Sequence, residues 1–196
     1  MAVSSVRLLP ALAILALGGC ATHITMDVAK NPPPAERFAD FSHFELAPIL
    51  LPAVYRGQDA NEEALKKIQA NVSSTMTPVL ARWNAAGGQK GNGRTLLVEP
   101  SIREIKFLNA TVRVWTGALS GSSAVILDAR ITEKETGRLI AAPEFYARAA
   151  AMGGAWTFGA TDNVMLLRIA NRLTGYLQAN FDVAVGGPTG VDTPKK

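Results

Sequence analysis

The chain has 196 residues, one cysteine, two histidines and a formal net charge of +4 at pH 7. A length of this order predicts one domain, and a single cysteine excludes a disulfide within the chain. The charge is small and dispersed, whereas nucleic-acid-binding domains usually carry a concentrated basic stripe, so we expect no nucleic-acid partner.

The first 19 residues have the pattern of a secretory signal. Arg7 is the only charged residue among them, and an uncharged apolar run follows at residues 8–17. That run is shorter than the roughly 20 apolar residues that span a bilayer. It fits the apolar region of a signal peptide, which also needs a basic start and small residues at the cleavage site. We therefore predict a signal peptide over residues 1–19, with cleavage between Gly19 and Cys20.

The stretch Leu17-Gly18-Gly19-Cys20 resembles the lipobox of bacterial lipoproteins. In that family the cysteine sulfur receives a diacylglyceryl group, the signal is removed and the new amino group is acylated. The resemblance therefore implies that Cys20 is the lipidation site. Two or three acyl chains exceed the single chain with which membrane binding is marginal and reversible, so the anchor would be effectively permanent.

An ordinary signal peptide with a chance cysteine is the alternative. Against it, Cys20 is the only cysteine in the chain and stands where lipidation requires one. Ala21 follows it, whereas an aspartate at this position in many lipoproteins directs retention in the inner membrane. The resemblance thus implies a lipid anchor in the outer membrane, on its periplasmic face.

The predicted mature chain consists of a tether, one domain and a tail. Residues 20–37 include Asn31-Pro32-Pro33-Pro34, which favours an extended backbone without regular hydrogen bonding, so we predict a lipidated, Pro-rich tether there. Residues 186–196 are rich in glycine and proline and predict a flexible tail. The periplasmic domain is expected at residues 38–185.

The first half of this domain predicts one strand and one helix. Residues 38–46 alternate in polarity and end before Pro48, which is typical of a strand. A helix follows from Asp59 or Asn61. Pro78 is expected to kink it or end its regular hydrogen bonding, and Gly87 and Gly88 mark its end. Its apolar residues recur at helical spacing on one face. They are Leu65, Ile68, Val72, Met76, Val79 and Trp83.

Three strands and a second helix follow. Residues 95–108 change phase between Ile102 and Ile105, which predicts a bulge. Residues 122–133 alternate cleanly, and residues 139–149 pair back after a tight turn. The inward residues of these two segments are Val125, Leu127, Ala129 and Ile131, then Leu139, Ala141, Phe145, Ala147 and Ala149.

A last amphipathic helix begins after Gly159. The element order β-α-β-β-β-α predicts an α+β domain. We expect a mostly antiparallel four-stranded sheet with two amphipathic helices packed on one of its faces.

These elements, taken in order with the lipobox, are similar to a family of proteobacterial outer-membrane lipoproteins that carry a domain of unknown function. The similarity rests on the strand 41–46, the Gly-rich link 117–121, the hairpin 128–139 and the C-terminal helix, and it covers about residues 38–181. It implies a small periplasmic α+β domain, and it supplies no catalytic residues.

Few residues could carry catalysis. His43 is the only histidine of the predicted domain, and an acylated Cys20 leaves no free thiol, so few nucleophile–base pairs are possible. Metal sites need clustered histidine, cysteine or carboxylate ligands, and the sequence suggests no such cluster. We expect no enzymatic activity, no metal and no cofactor.

Two glycine-flanked apolar segments are the candidate binding sites. Residues 109–123 contain Trp115 and Leu119, and residues 152–159 contain Trp156 and Phe158. Exposed apolar segments of this kind often mark partner or lipid contacts. The alternative is that these side chains fold back over the sheet and complete the core.

The leading hypothesis is a non-enzymatic accessory or scaffold lipoprotein, held by its lipid anchor at the outer membrane, that contacts an envelope protein. The alternative is a periplasmic carrier that binds a lipid or another apolar ligand between helices and sheet.

Overall fold

The computed structural model describes residue 24 and residues 26–87, 93–106, 123–149 and 160–191. These residues form an α+β fold with two long helices, a mixed five-stranded sheet and a separate two-stranded sheet. The predicted fold class and both helices are confirmed. The larger sheet has five strands and not the predicted four, and it is mixed.

The strands are β1 (Lys30–Asn31), β2 (His43–Leu46), β3 (Thr95–Lys106), β4 (Ala124–Glu133), β5 (Leu139–Ala141), β6 (Glu144–Arg148) and β7 (Gly187–Pro188). The helices are α1 (Asp59–Gly87) and α2 (Ala160–Ala179). In the larger sheet, β3 lies between β2 and β4, and both β5 and β6 pair with β4. The smaller sheet consists of β1 and β7.

The pairing of β2 with β3 is parallel, which makes the sheet mixed, and the prediction of a mostly antiparallel sheet did not foresee this pair. His43 lies opposite Thr95 and Leu46 opposite Val98. The cause is α1, which returns the chain to the end of the sheet where β2 began, so that the next strand runs in the same direction. The other strand pairs of the larger sheet are antiparallel.

The predicted strand over residues 139–149 is two strands, β5 and β6, which gives five strands instead of four. The break falls at Pro143, which has no backbone N–H to donate to a neighbouring strand. Its carbonyl accepts a hydrogen bond from the Ala129 amide at 2.9 Å and keeps the break attached to β4. A register shift in the β4–β5 pairing accompanies an outward Leu139, 50% exposed, and a buried Ile140. Leu139 was expected to point inward.

The predicted strand over residues 38–46 begins only at His43. Residues Phe38–Asp40 form a 3-10 turn instead. Because one such turn takes about three residues, Phe38 and Phe41 point to the same side. Both rings are buried in the core. This turn explains why aromatic residues occupy both phases of the alternation in the sequence.

Helix α1 buries the predicted stripe, including Ile68, Val72 and Met76, and it continues through Pro78. It ends at Gly87, where a side chain would collide with the main chain: an added Cβ would lie 2.2 Å from the Ser42 carbonyl oxygen. The predicted extent and buried face of this helix are confirmed, and Pro78 does not end it.

The predicted bulge in β3 is also confirmed. The register with β4 shifts between Ile102 and Glu104, which leaves Arg103 without a register partner. The extra residue restores Ile102 and Ile105 to one face, and both are buried. On β4, the inward side chains of Val125 and Leu127 are fully buried in the same core, together with α1 and α2.

The ends of the described chain belong to the fold. Lys30 pairs with Pro188 and Asn31 pairs with Gly187 in an antiparallel ladder. The folded part therefore begins before residue 38 and continues past residue 185, beyond both predicted domain boundaries. Proline-rich composition suggested a free spacer, but β1 precedes the prolines and pairs with β7, more than 150 residues later in the chain.

Candidate functional site

The residues predicted to carry lipidation, signal cleavage and partner contact lie outside the residues that the structure describes. They are Gly19, Cys20, Trp115, Leu119, Trp156 and Phe158. Their neighbours in the chain are described, and these neighbours define the part of the fold that each predicted site adjoins.

Both tryptophan-containing segments adjoin the same end of the sheet. Residues 107–122 connect β3 to β4, and residues 150–159 lie between β6 and α2. Lys106 is opposite Ala124 in the register, and Ala124 is opposite Arg148. The ends of the strands at Lys106, Ala124 and Arg148 thus lie side by side, and we call this end of the sheet the Ala124 end. The opposite end of the sheet, marked by Glu133 and Arg138, is the Glu133 end.

The chain before β2 runs along the sheet from the Ala124 end to the Glu133 end. We call its described residues, 24 and 26–36, the N-terminal strap. Ile24 is 7% exposed and packs against Ala124 and Ile126 on the sheet face opposite the helices. The Tyr146 hydroxyl donates a hydrogen bond to the Ile24 carbonyl at 3.3 Å. The strap is thus in contact with the sheet from its first described residue.

Residues 187–191, which we call the C-terminal segment, lie between the strap and β6. The Tyr146 amide donates to the Thr189 carbonyl at 2.8 Å, and the Thr189 amide donates to the Ala29 carbonyl at 3.1 Å. The Thr189 hydroxyl also donates to the Val28 carbonyl. An edge strand with free amides is a template for unwanted pairing with other chains. Here the strap and the C-terminal segment together cover the edge of β6.

Two buried asparagines hold these segments in place. The Asn31 side chain donates to the Glu144 carbonyl at 2.9 Å and accepts from the Glu144 amide at 2.8 Å, as a paired strand would. Asn180 is fully buried, and its side chain donates to the carbonyls of Tyr176 and Gly186. The Asn180 amide oxygen accepts from the backbone amides of Val185 and Gly186 at 2.8 Å. Both side chains satisfy backbone groups that would otherwise lack partners in the interior.

An ion-pair network holds the other end of the strap. Arg94 donates to Glu133 at 2.6 Å and to Glu36 at 2.9 Å, and its guanidinium lies 4.2 Å from the centre of the Phe41 ring. Arg138 also binds both carboxylates. Hydrogen bonds from Arg94, then Thr136 and Arg138, lower the pKa of Glu133 to about 2. Glu36 thereby fixes the strap at the Glu133 end.

A second charged cluster lies on the outer face of the sheet. The bulge residue Arg103 donates to both carboxylate oxygens of Glu144, at 2.8 and 3.1 Å, and lies 3.7 Å from Asp128. Burial raises the pKa of Asp128, against the opposing charge of Arg103. The cluster connects three neighbouring strands. Its members are partly exposed, so it contributes little to stability.

Two grooves open on the surface beside the helices. One, of about 350 Å³, lies between α2 and β7, with Arg168, Arg172 and Tyr176 in its lining. The other, of about 390 Å³, lies between α1 and α2, with Val164 and Leu167 in its lining. The carrier hypothesis places its ligand between helices and sheet, where the described residues form a cluster of buried apolar side chains.

Within the described ranges, the chemistry-bearing residues are dispersed. His43 is exposed on β2. No group of three histidine, cysteine, aspartate or glutamate side chains among the described residues is placed to hold a metal ion. None of the described helices is long and apolar enough to cross a membrane.

Sequence reasoning missed the strap and its contacts, above all Ile24, Asn31, Asn180 and Thr189. One signal for the strap was present. Ile24, Met26 and Val28 alternate with polar residues, which is the period of a strand. The partners of the strap could not be read from that pattern, because Glu144, Thr189 and most of the others lie more than a hundred residues away in the chain.

No protein-family model matches the sequence, and no curated protein sequence matches it. Several solved structures resemble the fold. The PelC dodecamer from Paraburkholderia phytofirmans is 10% identical, with a TM-score of 0.39 over 71% of this chain and 91% of that chain. Protein XCC0632 from Xanthomonas campestris, described as DUF330, is 10% identical, with a TM-score of 0.37 over 78% of this chain and 92% of that chain.

A minor lipoprotein from Acinetobacter baumannii is 12% identical, with a TM-score of 0.33 over 76% of this chain and 98% of that chain. The similar structures thus include a lipoprotein and a protein named for a domain of unknown function. Similarity at this level assigns neither a family nor a function to this chain.

Proposed function

We propose that the protein is a non-enzymatic lipoprotein, anchored by acyl chains on Cys20 to the periplasmic face of the outer membrane, that contacts an envelope protein. The observation that supports this proposal is the shared position of its predicted sites. Ile24, four residues after Cys20, packs at the Ala124 end, and both tryptophan-containing segments adjoin the same end.

This common position matters because a partner surface needs area and aromatic anchors. A standard interface takes about 800 Å² from each protein, more than one short segment supplies. Segments 107–122 and 150–159 together carry Trp115, Leu119, Trp156 and Phe158. Tryptophan is among the interface residues whose replacement by alanine costs the most binding free energy. Two adjoining segments can therefore contribute to one surface.

The non-enzymatic part of the proposal is supported by the residue inventory. His43 is the only histidine after the strap, and Cys20, the only cysteine, is taken by the proposed lipid. The clustered carboxylates of the described residues, such as Glu133 and Glu144, are engaged by arginines. In such pairs the carboxylate oxygens that proton transfer would need are engaged by guanidinium groups.

A carrier of a lipid or another apolar ligand is the second candidate. The groove between α2 and β7 favours it, because about 350 Å³ lies within the range of small-molecule sites. Its lining, which includes Tyr176 and Pro188, suits an apolar ligand. In this version the ligand binds on the outer side of α2 and not between helices and sheet.

Crosslinking in living cells tests the partner proposal. A photoreactive amino acid replaces Trp115, and a matched probe replaces Lys134 beside the Glu133 end as a control. We expect a defined envelope protein to be captured from position 115 and not from position 134. Equal capture from both positions, or no protein captured from 115, contradicts the proposal. Lipid extracted from natively purified protein, at about one molecule per chain, would support the carrier instead.

A further inference from the structure

We infer that the N-terminal strap fixes the orientation of the domain on the membrane. The Ala124 end is held against the lipid bilayer, and the Glu133 end points away from it into the aqueous compartment. This inference rests on the proposed lipidation of Cys20 and adds a property that lipidation alone does not give. A lipoprotein on a free tether can present any face to the membrane.

The strap is docked over its whole described length. Ile24 is buried at the Ala124 end, the side chain of Asn31 pairs with Glu144 midway along, and Glu36 is bound by two arginines at the Glu133 end. Between Asn31 and Glu36, the Tyr176 hydroxyl donates a hydrogen bond to the Pro32 carbonyl at 3.1 Å. The Ala35 amide also donates to the Ile140 carbonyl at 2.8 Å. These contacts exclude a free tether over residues 26–36.

The length of chain left outside the strap limits how far the domain can move from its anchor. Four residue steps separate Cys20 from Ile24. Fully extended, they span at most about 14 Å. A free tether of 18 residues, as predicted from composition, would have a root-mean-square reach of about 20–25 Å and an extended reach near 60 Å. The docked strap therefore shortens the connection severalfold.

This remaining length is shorter than the sheet. Strand β4 has ten residues from Ala124 to Glu133 and, at about 3.3 Å per residue, is about 30 Å long. Because the strap enters at the Ala124 end, the Glu133 end cannot reach the bilayer surface unless the strap comes away or the domain lies flat. The Ala124 end therefore faces the lipid surface that holds the anchor, and the proposed contacts of the tryptophan-containing segments would be made close to the membrane.

The test measures the depth of single labels on the lipidated full chain in vesicles of phosphatidylethanolamine and phosphatidylglycerol. Cys20 is the only cysteine, and its acylation leaves an introduced cysteine as the sole reactive thiol. Arg148→Cys places a fluorophore at the Ala124 end, and Lys134→Cys places one beside the Glu133 end. Both side chains are exposed. With a quencher on the lipid headgroups, we expect severalfold stronger quenching at position 148 than at 134.

A matched variant removes the restraint without touching the fold. Inserting 24 glycine and serine residues between Ala21 and Thr22 adds a reach of about 27 Å, comparable with the length of the sheet. The insertion precedes Ile24, the first described residue that packs on the sheet, so folding is expected to be unchanged, which circular dichroism verifies. Quenching at position 148 should fall severalfold, and the difference between 148 and 134 should narrow.

Flotation of the same protein with the vesicles separates the two proposals. A chain that does not float has no lipid anchor, which overturns the proposed function and this inference with it. A chain that floats, yet shows equal quenching at 148 and 134, overturns the orientation while the anchor stands. Unchanged quenching at 148 after the insertion also overturns it, because the short connection would then play no part.

Discussion

Replacing Asn31 with alanine should release the middle of the N-terminal strap from β6. The wild-type side chain makes two hydrogen bonds, at 2.9 and 2.8 Å, to the backbone of Glu144. Each bond contributes about 0.5–1.5 kcal/mol net, and both Glu144 groups lose their partner together. Alanine therefore weakens the attachment of the strap by about 1–3 kcal/mol.

Hydrogen exchange at single amides measures this change where it occurs. The Glu144 amide donates to Asn31, so its exchange should become about 5- to 150-fold faster, as 1–3 kcal/mol implies. The Tyr146 amide donates to Thr189 and not to Asn31, and its exchange should change less. Lys30→Ala is the matched control, since Lys30 is exposed beside Asn31. Glu144 exchange that stays within about twofold of wild type would refute the docking of the strap.

Three further predictions concern the core, the ion pairs and the binding segments. Leu127 is fully buried, so Leu127→Ala should lower the free energy of unfolding by about 2–5 kcal/mol, and a loss under about 0.5 kcal/mol would contradict the packing described. Hydrogen bonds hold the pKa of Glu133 near 2, below its usual 4.5, so its stabilising effect is present above about pH 4.5 and is lost as the pH falls towards 2. Acid titrations of unfolding should thus be steeper for wild type than for Glu133→Gln across that window, and parallel curves would count against the network. Trp115→Ala and Trp156→Ala should leave the thermal midpoint almost unchanged and weaken partner capture by about 2 kcal/mol or more, whereas a destabilisation of about 3–5 kcal/mol would place both rings in the core.

Features of this fold that depend on local periodicity could be predicted from the sequence. The apolar stripe of α1 follows from helical spacing alone: five of its six predicted residues are buried and the sixth, Leu65, is partly buried. The phase change between Ile102 and Ile105 predicts a bulge, because a residue must be added to return both side chains to one face. Leu127 and its alternating neighbours on β4 follow from the two-residue period of a strand.

Features that depend on pairing between distant parts of the chain could not be predicted from the sequence. The direction of β2 relative to β3 is set by the path of α1 and not by any residue of β2. The proline run after Asn31 suggested a spacer, since prolines cannot donate to a ladder, but Asn31 precedes them and pairs with Gly187. The candidate site shows the same division. The apolar, glycine-rich composition of their segments points to Trp115 and Trp156. Only the register of the sheet shows that the strands flanking the two segments end side by side.

The most direct test of the account is the chemical state of Cys20 in the protein isolated from membranes. Mass spectrometry of the N-terminal peptide should find a mature chain that begins at Cys20, with diacylglyceryl on the sulfur and a fatty acyl group on the amino nitrogen. Cys20→Ser should accumulate as uncut precursor without acyl label, because the sulfur is the proposed acceptor. A mature chain with an unmodified Cys20, or normal acyl labelling of Cys20→Ser, would contradict the lipid anchor on which the proposed function rests.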